Sequence, residues 1–341
     1  FVKMALSDDG RVFAWGDNRY GTIGLPPGNP KKSGPNEVTG FGALVGKTVT
    51  DVFMSMYGAF VLTSEKSLVC WGYGGEGQLG RDPSASDYIP SAFPHLVGTV
   101  EKVMGGGGTL FALDASGRLW AWGVGHWGQM GNGTIERGNP TPHDITSAGS
   151  LSEKTASKVE SSTDHVVAMM TDGSVHQWGH INSADVTTPQ AVSIPGNRTA
   201  VDVAAGSNNG FAEHSAALMS DGTLWTWGEN DTGQLGNGTR TANWAPFDIS
   251  GLGSLAGKKV IELAKGLGHT VALCDDGTLH GWGDNTHGQL IFPVVSTVYL
   301  EPVELQAIPG MGPPSITWTT DAVLPAASEG VAYSVTLEAT P

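Results

Sequence analysis

The dipeptide Trp-Gly occurs six times, at Trp15, Trp71, Trp122, Trp178, Trp227 and Trp282, with spacings of 56, 51, 56, 49 and 55 residues. Six of the eleven tryptophans are thus one position repeated. Such a period restricts the chain to architectures that stack one supersecondary unit, because a single unit of this size cannot bury its own apolar face. Aligning on the Trp brings other columns into register. Three residues earlier stand Val12, Leu68, Leu119, Val175, Leu224 and Leu279. Nine earlier stand Leu6, Leu62, Leu113, Met169, Leu218 and Leu273. Five earlier, Gly10, Gly117, Gly173, Gly222 and Gly277 share a column with Lys66, and all of these glycines except Gly117 follow an Asp.

Each unit therefore has an apolar run, an Asp-Gly turn and a second run ending in Trp-Gly. Asp-Gly between apolar runs predicts a two-residue hairpin of type I′, with positive φ at both central residues. In the second run Trp120 and Trp122, like Trp225 and Trp227, alternate onto one face. The other face carries an aliphatic and then a small residue (Ala14, Cys70, Ala121, Thr226, Gly281). Both faces are expected to be buried, as in sheets stacked on both sides. A further strand is predicted before each hairpin, around Val52, Val103, Val159, Val203 and Leu263. Another is predicted after each Trp-Gly loop, near His143 to Ile145, Pro246 to Ile249 and Pro302 to Ile308. Four strands per unit with almost no helical periodicity predict an all-β fold, a β-propeller of six or seven four-stranded blades with a short C-terminal extension. A solenoid is the alternative. Copy one lacks its leading strand, and copy four, with His180 to Pro189 after its Trp-Gly, is degenerate.

Composition narrows the function. Lys+Arg 18 against Asp+Glu 33 gives a net charge of −15, and a binder that tracks nucleic-acid phosphates needs the opposite sign. Hydrophobic residues at 39% argue against disorder. No apolar run reaches 18 residues, so no helix is expected to insert in a membrane. Cys70 and Cys274 form neither a disulfide framework nor a metal-ligand spacing. G-x-S-x-G, H-E-x-x-H and P-loop sequences do not occur. The expectation is therefore no enzyme, no cofactor and no metal site. Because Phe1 opens directly on a strand-like run, the chain reads as a piece of a longer polypeptide.

Residues 220–239 and 274–290 resemble the regulator of chromosome condensation repeat family. Its pattern is a G-x-x-H-(S/T)-x-A-L strand, a D-G turn, a hydrophobic-x-W-G strand and then G-Q-L-G. The last element stands here at Gly77–Gly80 and Gly233–Gly236, with variants at Gly21–Gly24 and Gly128–Gly131. The resemblance implies a propeller over residues 1–310. The family usually closes seven blades, so either a seventh is absent from this piece or six blades close with strands from both ends. It also implies structural roles for the six Trp-Gly tryptophans and for His165, His214 and His269, which share the column thirteen before the Trp. Each His is expected to bond within its own blade; three aligned imidazoles binding a metal is the rival reading.

Members of the family range from exchange factors and ubiquitin-ligase domains to a photoreceptor and secreted inhibitors. Leu267 stands where the photoreceptor pattern needs Trp, and no blade carries the wedge insertion of the exchange factor. Residues 311–341 are expected to be a linker and the start of another module: 313–341 resembles the opening strands of bacterial immunoglobulin-like modules. A decayed blade strand is the alternative there.

The candidate binding residues follow from one variable column, the position before the first Gly of G-Q-L-G. It holds Tyr20, Glu76, Trp127, Thr232 and His287. Loop Tyr and Trp are common anchors because they bring large area at low entropy cost. Tyr20 and Trp127 are expected to be mostly exposed on one face; drift at a solvated position is the alternative. Phe211, at the tip of a five-residue insertion in 206–213, is a further candidate, with neutral insertion as its alternative. Asn132-Gly133-Thr134 and Asn237-Gly238-Thr239 fit glycosylation sequons but are expected to be tight turns. The functional expectation is a non-enzymatic module of a bacterial extracellular or cell-surface protein, binding a protein or a cell-surface glycan. A self-assembling component of an appendage, filament or virion fibre is the alternative, and a secreted enzyme inhibitor a lesser one.

Overall fold

The computed structural model describes residues 2–25, 31–55, 58–82, 86–196, 198–208, 212–266, 268–290 and 297–305. Phe211 and the immunoglobulin-like stretch 313–341 lie outside the described residues. The chain divides into two compact units, Phe1–Val192 and Ser193–Pro341. Among the described residues the strands make six antiparallel sheets, one three-stranded and five four-stranded, each a simple meander in chain order.

Unit 1 holds four of these blades. Blade 1 is β1 (Val2–Leu6), β2 (Val12–Asp17) and β3 (Lys31–Glu37). Blade 2 is β4 (Val49–Met54), β5 (Gly58–Thr63), β6 (Leu68–Gly72) and β7 (Asp87–Ala92). Blade 3 is β8 (Val100–Gly105), β9 (Thr109–Asp114), β10 (Leu119–Gly125) and β11 (Glu136–Asp144). Blade 4 is β12 (Ala156–Ser161), β13 (His165–Met170), β14 (Val175–Ile181) and β15 (Ala184–Ala191). Unit 2 holds blade 5, β16 (Ala200–Asn208), β17 (Ala212–Met219), β18 (Leu224–Gly228) and β19 (Asn243–Asp248). Blade 6 follows as β20 (Val260–Lys265), β21 (His269–Cys274), β22 (Leu279–Asp284) and β23 (Val298–Glu304). The leading strands form around Val52, Val103, Val159, Val203 and Leu263 as expected, the trailing strands begin earlier than expected, at Glu136, Asn243 and Val298, and among the described residues blade 1 has no leading strand.

Burial follows the two-sided pattern. Every residue of β6 and of β18 is buried. The core lies between faces of successive sheets: Val12, Ala14 and Ile23 of blade 1 meet Ala59, Val69 and Trp71 of blade 2. In unit 2, Ala216, Leu218 and Leu224 meet Ala272, Cys274 and Trp282.

The hairpins correct the predicted turn type. Gly10 N–H donates to the Ser7 carbonyl, and Gly173, Gly222 and Gly277 repeat the bond to Met170, Met219 and Cys274. Only the glycine has positive φ, +76° to +84° in these copies, and the Asp before it does not. The loop is thus a type I turn closed by a left-handed residue, which spans three residues instead of two. Lys66 takes that left-handed place in blade 2, at φ 57°. The type I′ turn occurs instead in the degenerate copy. Asn182 and Ser183, at φ 50° and 61°, join β14 to β15 directly, with Ile181 paired to Ala184.

Three of the linkers share one device. Short 3-10 turns at Gly42–Leu44, Gly149–Leu151 and Gly253–Leu255 join blades 1 to 2, 3 to 4 and 5 to 6. Leu44, Leu151 and Leu255 are buried. A Cβ on Gly42, Gly149 or Gly253 would lie 2.0–2.2 Å from the carbonyl oxygen of Pro90, Pro189 or Pro302. The turn therefore rests on the last strand of the following blade. Lys47, Lys154 and Lys258 then pair with Glu65, Asp172 and Asp276 of the next hairpin. The linker 93–99 between blades 2 and 3 has no such turn. Each last strand carries proline (Pro35, Pro90, Pro140 and Pro142, Pro189, Pro246, Pro302), which lacks the N–H needed to add a further strand.

Candidate functional site

The G-Q-L-G loop joins the third and fourth strands and leans on the next blade. A Cβ on Gly21, Gly77 or Gly128 would stand 2.7–2.9 Å from backbone atoms of Tyr88, Pro140 or Thr187. One on Gly131 or Gly236 would stand 2.8–2.9 Å from the indole of Trp178 or Trp282. Both ends of the motif need glycine, for close approach and for positive φ alike. Between them, the next blade's indole N–H donates to the backbone carbonyl of the motif's second residue. The pairs are Trp71 to Thr22 at 2.9 Å, Trp122 to Gln78 at 2.8 Å, Trp178 to Gln129 at 2.6 Å and Trp282 to Gln234 at 3.0 Å. The tryptophans at these positions and Trp227 are at most 1% exposed. Trp15, in blade 1, is only half-buried.

The motif's Gln has a second task that sequence reading missed. Its side-chain oxygen accepts the N–H of the residue before the first Gly: Glu76 to Gln78 at 2.9 Å, Trp127 to Gln129 at 2.7 Å, Thr232 to Gln234 at 2.9 Å and His287 to Gln289 at 2.9 Å. Asn18, Asn230 and Asn285 brace the same loops by accepting from the N–H of Ile23, Leu235 and Leu290. The variable residue is thus held by its backbone, and its side chain is left to meet the neighbouring blade.

That meeting corrects the expected exposure. Tyr20, 42% exposed, packs edge-on to Tyr73 of blade 2, with ring centres 5.4 Å apart. Glu76 Oε2 lies 3.2 Å from His126 Nε2 of blade 3, and its side chain is 33% exposed. Trp127 is half-buried, not mostly exposed, because its ring packs 5.1 Å from that of His180 in blade 4. His180 Nδ1 in turn lies 2.7 Å from Asp185 Oδ1. In unit 2, Thr232 Oγ1 donates to Gln234 Oε1 of its own loop at 2.7 Å and lies 3.5 Å from the Gly268 carbonyl of blade 6, and His287 is exposed. Tyr20, Glu76 and Trp127 thus mark three successive blade junctions of unit 1.

The histidine column is intrablade. His165 Nδ1 meets Ser162 Oγ at 2.7 Å. His214 and His269 instead lie against Gly206 and Gly266, which replace that Ser in their blades. Burial pushes the His269 pKa down to about 4, with Asp284 opposing. Among the described residues, no three metal-binding side chains gather into one site. Burial pushes the Cys70 and Cys274 thiols up, to about 12 and about 11, so neither is a ready nucleophile. Asn132 and Asn237 accept the N–H of Thr134 and Thr239, the tight turns expected of these sequons.

Residues 9–62, 116–169 and 221–273 match the Regulator of chromosome condensation (RCC1) repeat, and a second family of that description matches 200–234 and 260–289. Each of the first three stretches crosses one of the 3-10 linkers. The human E3 ubiquitin-protein ligase HERC2 is 29% identical over 279 residues, 79% of this chain and 5% of that protein. The Arabidopsis thaliana ultraviolet-B receptor UVR8 is 26% identical over 298 residues, 84% of this chain and 64% of the receptor. The chain thus spans less than two thirds of these relatives. Among solved structures, human WBSCR16 aligns with a TM-score of 0.74 at 21% identity, over 90% of this chain and 79% of that one. Yeast RCC1 (Prp20), solved bound to Kap60, aligns with a TM-score of 0.72 at 21% identity, over 90% and 73%.

Proposed function

This chain is a propeller assembled from regulator of chromosome condensation repeats, and on that premise we propose that it is a non-enzymatic protein-binding module whose partner docks on the loop side of unit 1. One observation carries the reading. The loop position before the motif's first Gly, whose backbone a buried Gln holds in blades 2 and 3 and where blade 1 has Thr22 in place of that Gln, is occupied at three consecutive junctions by Tyr20, Glu76 and Trp127. The fold itself asks for no more than Thr232 at that position. Large aromatic and acidic side chains there go beyond what the loop backbone needs, and Tyr and Trp are the residue types that dominate binding energy. The yeast relative solved with Kap60 supports a protein as the partner class.

The proposal extends to an extracellular or cell-surface setting of bacterial source, on the resemblance of 313–341 to the opening strands of bacterial immunoglobulin-like modules. Assembly into filaments by strand addition is the weaker reading, because a proline sits on every blade's last strand. A photo-crosslinking amino acid at Tyr20 or Trp127, in an extract of the source organism, tests the proposal against the same probe at Ser116 on the hairpin side. Protein adducts confined to the loop side are expected. Glycan adducts, adducts only with further copies of the chain, or adducts equal on both sides would overturn it.

A further inference from the structure

We infer that Asn132-Gly133 and Asn237-Gly238 are sites of spontaneous covalent modification, deamidation to aspartate and isoaspartate, and that each is held shut by a bond to the following blade. The inference does not depend on the partner proposed above. The chain has three Asn-Gly pairs. Asn209-Gly210 lies outside the described residues. The other two directly follow a G-Q-x-G motif, in blades 3 and 5.

Asn-Gly is the pair most open to this chemistry, because glycine gives its nitrogen no side-chain cover. The glycine nitrogen loses its proton and attacks the Asn side-chain carbonyl carbon. The N–Cγ bond forms, the Cγ–Nδ2 bond breaks, and the side-chain nitrogen leaves as ammonia with the proton that glycine lost. Water then opens the cyclic imide at either carbonyl, and water is the only co-reactant.

The electrophile is ready in both loops. Asn132 Oδ1 accepts the Thr134 N–H at 3.2 Å and the Thr134 hydroxyl at 2.8 Å. Asn237 Oδ1 accepts the same two groups of Thr239 at 3.1 and 2.8 Å. Two donors on one oxygen draw charge from its carbonyl carbon and stabilise the oxyanion that attack creates. Water reaches the loops, since Gly133, Thr134 and Thr239 are exposed.

What the fold withholds is the nucleophile. Gly133 N–H donates to the Thr187 carbonyl of β15, and Gly238 N–H to the Leu300 carbonyl of β23, both at 2.9 Å. An amide in such a bond keeps its proton and is fixed in place. Attack therefore requires the loop to leave the following blade. The same two seams are closed by Trp178 on the Gln129 carbonyl and by Trp282 on the Gln234 carbonyl. Each Asn thus reports the opening of its own seam, a local event that precedes global unfolding.

Peptide mapping by mass spectrometry, after incubation in mildly alkaline buffer, reads both sites by the mass gain of amide-to-acid exchange. In the native protein both are expected to react far more slowly than in the same protein denatured in urea. Trp178→Phe is expected to accelerate Asn132 about fivefold or more and to leave Asn237 unchanged; Trp282→Phe is expected to do the reverse. Trp122→Phe, which loosens the seam between blades 2 and 3, should change neither. Native rates equal to those in urea would overturn the inference. Acceleration of both sites by any one variant would overturn it too, because global unfolding would then be the gate, as would acceleration of neither site by the variant of its own seam.

Discussion

The indole N–H of Trp178 donates to the backbone carbonyl of Gln129, 2.6 Å away and 49 residues earlier in the chain. The bond joins blade 4 to blade 3, and its counterparts at Trp71, Trp122 and Trp282 join other neighbouring blades in the same way. Removing the ring or only its N–H should therefore give separable losses. Trp122→Ala is expected to cost about 3–5 kcal/mol. Trp122→Phe keeps much of the buried area but strands the Gln78 carbonyl, costing about 1–3 kcal/mol. Urea unfolding of both variants checks this; equal losses would mean that the hydrogen bond contributes nothing.

Trp127 offers the comparison. Sequence reading expects Trp127→Ala to change stability by less than about 0.5 kcal/mol. The contact with His180 raises the expectation to about 1 kcal/mol, the usual range for such ring pairs. A double-mutant cycle with His180→Ala isolates the pair. A coupling of zero would show that the rings touch without stabilising one another.

Gly236→Ala should cost roughly 2–5 kcal/mol, combining left-handed strain with a Cβ 2.8 Å from the Trp282 ring. Gly257→Ala carries similar positive φ but meets nothing within 4 Å, so it should cost only about 1–2 kcal/mol. Melting curves of the two variants separate crowding from backbone strain.

At Lys66 the strain is already present. Lys66→Gly should stabilise by about 0.5 kcal/mol, the left-handed penalty less the extra freedom glycine gives the unfolded chain. The exposed ion pair with Glu101 subtracts little. A lower urea midpoint in the variant would contradict this.

Two buried imidazoles make stability depend on pH. His176 lies between Ser150 and Ser174, at 2.6 and 2.9 Å, and His280 between Ser254 and Thr278, at 2.7 and 2.8 Å. Burial holds both below the ordinary 6.5; Lys154 adds to this at His176 and Asp172 opposes. At His280, Glu304 and Asp276 oppose and Lys258 adds. Above pH 6.5 folded and unfolded forms are both neutral, so these groups add no slope. Below it the unfolded chain takes the proton first, and stability falls by up to about 1.4 kcal/mol per pH unit for each group. Blade 2 has Ala43 and Val69 at the equivalent places. The double change Ser150→Ala with His176→Val should therefore flatten the fall between pH 7 and 5, and an unchanged slope would refute the assignment.

The fold was legible because its repeating sequence patterns fall within one blade. The Trp column, the glycine after Asp and the alternating apolar runs are local patterns, each read from fewer than twenty residues. What stayed hidden depends on a partner some fifty residues away. The column of Tyr20, Glu76 and Trp127 looked like free surface, because Tyr73, His126 and His180 belong to the following repeat and share no single chemistry. The turn type was misread for a different reason. Asp-Gly fits both a two-residue loop and the end of a three-residue one, and only the strand register separates them. The 3-10 linkers left a trace that went unused: Gly-Ala-Leu at 42–44 and Gly-Ser-Leu at 149–151 and 253–255, each followed three residues later by Lys. Aligning on every Trp averaged that trace away, since it occurs in alternate copies.

Because three linkers share one device, a blade with its 3-10 turn and the blade that receives the turn are complementary halves. Deleting one half would leave a lysine without its hairpin acid and a leucine without its pocket, whereas deleting both removes each group together with its partner. Duplication and loss within such a gene are then tolerated in pairs, so lineages descending from this chain should differ by even numbers of blades.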